Sequence, residues 1–123
     1  MSENREVATQ FLKLASSGRV DEAYSKYADE LFKHHNQYFK GDRNSLIAAM
    51  KESSAKMPNR TFHVKMVLED GDMVMTYSHI QIHDSDLQIA VVHVMKFKNN
   101  RIIELWDIGQ PISKDSPNEN GMF

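Results

Sequence analysis

The sequence predicts an α+β domain of three helices followed by at least four antiparallel strands, with the helices covering the concave side of a curled sheet. Two observations carry that prediction. Apolar residues recur at helical spacing up to Met50, and from Arg60 onward the period changes to two. An Asp70-Gly71 pair between alternating runs is then the strongest short hairpin signal available.

The first helix is drawn by Val7, Ala8, Phe11, Leu12 and Ala15, and Gly18 in Ser16-Ser17-Gly18 can take the left-handed position that ends it. Asp21 can cap a second helix, whose stripe is Ala23, Tyr24, Tyr27, Ala28 and Leu31, fraying near Phe32. Gly41-Asp42 restarts a helix through Leu46, Ile47, Ala49 and Met50. It ends before Met57-Pro58, because a residue preceding proline is pushed out of helical space.

In TFHVKMVLE, Phe62, Val64, Met66 and Leu68 share one face, read as the buried one. Pairing Glu69 with Asp72 across a type I′ turn places Met73, Met75, Tyr77 and His79 on that same inward face. The third strand, IAVVHVMKFK, shows Lys96 and Lys98 to water, which leaves Val91, His93, Met95 and Phe97 inside.

The fourth strand, IIELWDIGQP, carries Asp107 beside the single tryptophan of the chain, and its alternation is ambiguous. A two-residue Asn99-Asn100 turn pairs Lys98 with Arg101 and puts Asp107 on the lysine face. A three-residue loop, Lys98-Asn99-Asn100, pairs Phe97 with Arg101 and puts Asp107 on the His93 face. The second is preferred, since it sends Glu104 and both lysines outward together. The tail 111–123 is rich in turn formers and reads as a frayed end, with Met122-Phe123 as the part able to seat in an apolar groove.

At 123 residues, 41% hydrophobic and 26% charged, the chain fits a single domain spanning 1–123, with room for a core and a small cavity. Fifteen basic residues against seventeen acidic ones, with the basic ones scattered singly, argue against nucleic acid as a partner. With no cysteine there is no disulfide, thiolate metal site or thiol nucleophile. The opening residues hold no apolar run long enough for a signal peptide or membrane span, so the expected compartment is the cytoplasm, with no membrane partner.

Two inward histidines and a carboxylate on one concave face need partners, and together they can supply one another. Asp107 then holds a histidine tautomer or acts as a base. His34-His35-Asn36 sits where the second helix yields to a loop, and His63 and His83 read as surface residues.

The blocks FLKLASSGRVDEAYSKY, HHNQYFKGDRNSLIAAM, LEDGDMVMTYSHIQ and VVHVMKFKNNRIIELWDIGQP resemble, in content and spacing, the SnoaL-like branch of the nuclear transport factor two-like superfamily. That resemblance implies a cone-shaped α+β barrel and, position by position, places the branch's His-Asn pair on His35 and Asn36. It places the histidine of its Ser-His strand on His79 and the aspartate of its Trp-Asp element on Asp107. This sequence departs from the pattern at His93, where the branch commonly has an acid, and at Leu105, where it often has histidine. The resemblance also implies a homodimer through the outer face of the sheet, which would cover Val94, Trp106 and Ile108.

The expected site is therefore Asp107, His93, His79 and His35 as catalytic groups, with Asn36, Tyr77, Met66, Met75 and Met95 against a small apolar or carbonyl-containing molecule. The chemistry expected is proton transfer, in an aldol closure or an isomerisation, without cofactor or metal. A non-catalytic ligand-binding or dimerisation module is the alternative. A mononuclear metal held by His35, His79, His93 and Asp107 is a third reading, though no local spacing motif supports it.

Overall fold

The computed structural model describes residues 3–123. The elements are α1 (Glu3–Ser16), α2 (Val20–Tyr27), β1 (Ala28–His34), α3 (Arg43–Lys56), β2 (Arg60–Asp70), β3 (Met73–Ile82), β4 (Gln88–Lys98) and β5 (Arg101–Pro111). The strands form one open mixed sheet in the order β1-β5-β4-β3-β2. Its inner face packs against Ala8, Phe11 and Leu12 of α1, Ala23 and Tyr24 of α2 and Leu46 of α3, and Met95, Phe97, Ile102 and Leu105 complete the core.

Gly18 ends α1 at φ +92, with the Arg19 amide donating back to the Leu14 carbonyl at 3.0 Å, a closure that favours glycine. Arg19, not Asp21, holds the cap position of α2, and Asp21 instead pairs with Lys51 at 2.9 Å. For α3 the expected restart is present: the Asp42 carboxylate accepts from the Ser45 amide at 2.9 Å.

Four departures from the sequence reading matter for the site. The second helix stops at Tyr27, and 28–34 is a strand that pairs in parallel with β5, leaving Leu31 85% exposed. The β5 edge supplies backbone partners and buries Ala28, Phe32 and His34, outweighing the helical spacing of Leu31.

The β2–β3 turn is the second departure: Asp70 pairs with Met73, so the turn residues are Gly71 and Asp72, and Gly71 alone takes a positive φ of 59°. The shift spares Asp70 the left-handed angle that a type I′ turn at Asp70-Gly71 would demand. A bulge between Val64 and Met66 then changes parity within β2. Phe62, Val64 and Val67 face the core, while Met66, Leu68, Met75, Tyr77 and His79 fall on the outer face.

The third is the β4–β5 turn. It has two residues, Asn99 and Asn100 at φ 53° and 62°, and Lys98 pairs with Arg101. Taken alone, that turn would send Asp107 outward. A bulge between Lys96 and Phe97, which leaves Ile103 unpaired across from β4, reverses the parity and sets Asp107 opposite His93. The tail is the fourth. It departs from a frayed end in the way allowed for Met122-Phe123, which seats on the outer face: the Tyr77 hydroxyl donates to the Met122 carbonyl at 2.6 Å and Phe123 lies 5.0 Å from Tyr77 and 4.7 Å from His79.

Candidate functional site

Between the helices and the inner face of the sheet lies a cavity of about 400 Å³. Phe11, Leu12 and Ala15 of α1, Leu46 and Met50 of α3, and Phe62, Ile80, Ile82, Ile89, Val91 and Leu105 of the sheet make its walls largely apolar. Among the lining residues Asp107 is the single carboxylate and Arg60 the single guanidinium. His93, Asn36, Tyr24, Tyr38, Ser16, Ser53 and Gln110 provide the other polar groups.

Asp107 is held from two sides. The Asn36 side-chain amide donates to Oδ2 at 2.9 Å, and His93 Nε2 stands 3.6 Å from Oδ1, directly across the β4–β5 ladder. Asn36 reaches that position because the chain leaving β1 is clamped. The His34 ring accepts the Asn36 amide at Nδ1 (3.1 Å) and donates from Nε2 to the Lys40 carbonyl (2.7 Å), while Asn36 Oδ1 accepts from the Tyr38 amide at 3.0 Å. Those partners fix the His34 ring with its proton on Nε2.

His93 Nδ1 is buried without a hydrogen-bond partner. An unprotonated ring nitrogen is cheaper to leave unpaired than an N–H, so the proton is assigned to Nε2, facing Asp107. Burial pushes the imidazole below its ordinary pKa, against the opposing pull of the Asp107 charge. Tyr24, placed by the sequence in the apolar stripe of the second helix, also lines the cavity. Burial pushes its phenol well above its ordinary pKa, the Asp107 charge pushes the same way, and Arg43 opposes both. It therefore remains a proton donor. No sequence pattern distinguishes Tyr24 from a core tyrosine; the packing of α2 against α1, α3 and β1 sets it in the cavity wall.

The structure does not bring the other expected residues to this site. His35 stacks on Trp106 with ring centroids 4.9 Å apart and bonds to Glu104 through Nε2 at 2.6 Å. His79 lies on the outer face with its Nε2 2.8 Å from the Gln88 side chain. Tyr77, Met66 and Met75 share that outer face, put there by the Val64–Met66 bulge, while Met95 is fully buried in the core and does not line the cavity. Met50 and Met57 line it instead. The four residues of the metal reading are thus divided between two faces, and among the described residues no cluster of three or more His, Asp or Glu could hold an ion.

No family model and no curated protein matches the sequence. Solved structures do. A SnoaL-like polyketide cyclase from Agrobacterium tumefaciens superposes with a TM-score of 0.70 at 13% identity, covering 89% of this chain and 93% of that one. A nuclear transport factor two-like protein of unknown function from Burkholderia xenovorans gives 0.75 at 16%, covering 94% and 88%. Another such protein, from Cytophaga hutchinsonii, gives 0.68 at 17%, covering 87% and 89%.

The chain has the nuclear transport factor two-like fold.

Within that fold, which the SnoaL-like cyclase shares, the cavity is the space between the helices and the curled sheet. Asp107, His93 and Asn36 form its polar floor. Among the described residues no helix is long and apolar enough to cross a membrane.

Proposed function

We propose that this chain is a small-molecule pocket protein that performs acid-base chemistry on a small, largely apolar carbonyl compound, with Asp107 as the base. The observation that carries the reading is a carboxylate fixed by Asn36 and faced by a neutral, buried imidazole in the wall of an apolar cavity.

Asp107 takes the proton from the carbon beside the carbonyl, and the released electron pair moves onto the carbonyl oxygen as an enolate. Nε2–H of His93 and the Tyr24 hydroxyl are the available donors to that oxygen, and their apolar surroundings strengthen the interaction. Returning the proton to a different carbon is an isomerisation. If the enolate carbon instead bonds to a second carbonyl, whose oxygen takes the proton, the result is an aldol closure. His35 and His79 have no part, since both lie across the sheet.

Screening polyketide-like and enone compounds against the wild-type and Asp107→Asn proteins tests the reading. Turnover by the wild type, lost in the variant, is expected. Ligand binding with equal background rates in both proteins would leave a binding module instead.

The reading includes a homodimer through the outer face of the sheet. Ile108, Leu68 and Met66 are 68%, 58% and 51% exposed there, which supports a second copy as their cover.

A further inference from the structure

The cavity has a charge at each end. Asp107 lies on the β5 rung opposite His93, which in turn opposes Thr76 of β3; Arg60 lies on the rung opposite Ile82, also of β3. From Thr76 to Ile82 the strand advances about 20 Å at ~3.3 Å per residue. The guanidinium therefore stands at the far end of the cavity from the carboxylate, where α1 and α3 both end.

Arg60 is half-buried, and its partners are all neutral. Nε donates to the Ser16 carbonyl at 3.0 Å, one terminal nitrogen to Ser53 Oγ at 3.4 Å and the other to Ser54 Oγ at 2.7 Å. Among the described residues no carboxylate lies within ion-pair distance of it. A guanidinium carries five N–H groups in a planar fork, so these contacts leave two of them uncommitted. Burial alone lowers its pKa, with no anion raising it in compensation. Serine and carbonyl partners orient the group without neutralising it. A half-buried cation with only neutral partners is desolvated in part without compensation, which an anion at the cavity end would supply.

We propose that Arg60 is the anchor for an anionic group of the ligand, and that the pocket takes small amphipathic keto acids, with the carboxylate on Arg60 and the carbonyl near Asp107. This deepens the acid-base reading above and rests on it for the position of the carbonyl. Charge placement supports it independently: a ligand carboxylate is repelled from the Asp107 end and drawn to the Arg60 end, so one orientation is selected before any chemistry begins.

Calorimetric titration with γ-benzoylbutyrate and its methyl ester, an aryl keto acid and its neutral counterpart, tests the anchor. The acid is expected to bind the wild-type protein about tenfold more tightly than the ester, the scale of a hydrogen bond to a charged group. In Arg60→Gln the acid weakens to the level of the ester, which itself changes by less than about threefold. Arg60→Lys, which keeps the charge and loses the fork, should retain part of the preference and serves if the glutamine variant does not fold. The Asp107→Asn protein must keep the acid preference, because anchoring is separate from proton transfer; its turnover can fail while the anchor stands. An acid-to-ester ratio near one in the wild type, no binding of the acid, or a ratio unchanged in both Arg60 variants would overturn the proposal.

Discussion

A carboxylate in an apolar strand survives only if its neighbours offset its desolvation, and Asp107 has the Asn36 amide and the His93 ring for that purpose. That His93 and Asp107 share a face was legible from strand alternation and from the preference for sending both lysines outward, whereas their direct pairing was not, since the expected register set Asp107 opposite Val91. The face of His79 was not legible either, because a bulge near Lys65 moves it across the sheet, and one residue of slip exchanges every side chain between faces. His93 has a measurable consequence. Burial lowers its folded-state pKa below the ordinary 6.5, so as pH falls below that value the unfolded chain gains a proton that the native protein resists. The contribution is fully present above about pH 6.5 and is lost as pH falls toward the lowered value. Urea unfolding from pH 7 to 5 should show that decline in the wild type and a shallower one in His93→Asn; parallel slopes would contradict the assignment. Glu104 acts in a separate, more acidic window. Its bond to His35 holds its pKa below the ordinary 4.5, so its contribution is present above that value and lost further down.

At the scale of elements, the hairpins show what alternation can and cannot decide. The sequence reading reached the right face for Asp107 through a three-residue loop, whereas the protein uses a two-residue Asn99-Asn100 turn and restores parity with a bulge at Ile103. Two local features, each worth one step of register, cancel. Nothing in the apolar run IIELW marks the bulge, since either face of that stretch tolerates burial. Strand β1 was hidden for a related reason: Ala28, Phe32 and His34 are buried by pairing with β5, a contact remote in sequence. The turn itself is testable. Asn100 sits at φ 62°, so Asn100→Ala should cost about 1 kcal/mol, while Asn100→Gly should be neutral or stabilising. Equal unfolding midpoints for the alanine variant and the wild type would argue against the left-handed turn.

At the scale of the molecule, the sheet separates two sets of histidines that the sequence reading had gathered into one. The inner face holds His93 with Asp107, and the outer face holds His35 on Trp106 and His79 beside Phe123. The overall architecture was legible because three apolar helical stripes and a run of alternating strands leave few ways to build a core. The outer face bears on assembly. Ile108→Glu should convert a dimer to a monomer in sedimentation velocity with circular dichroism unchanged, and a monomeric wild type would refute that part of the reading.

The central claim, that Asp107 removes a proton beside a carbonyl, is tested most directly by deuterium exchange. Small aryl ketones are incubated in heavy water, and incorporation at the carbon next to the carbonyl is followed by NMR. The wild-type protein should catalyse incorporation, and Asp107→Asn should lower the rate by about 10² or more, the usual scale for loss of a general base. Indistinguishable rates with the wild-type and variant proteins would contradict it.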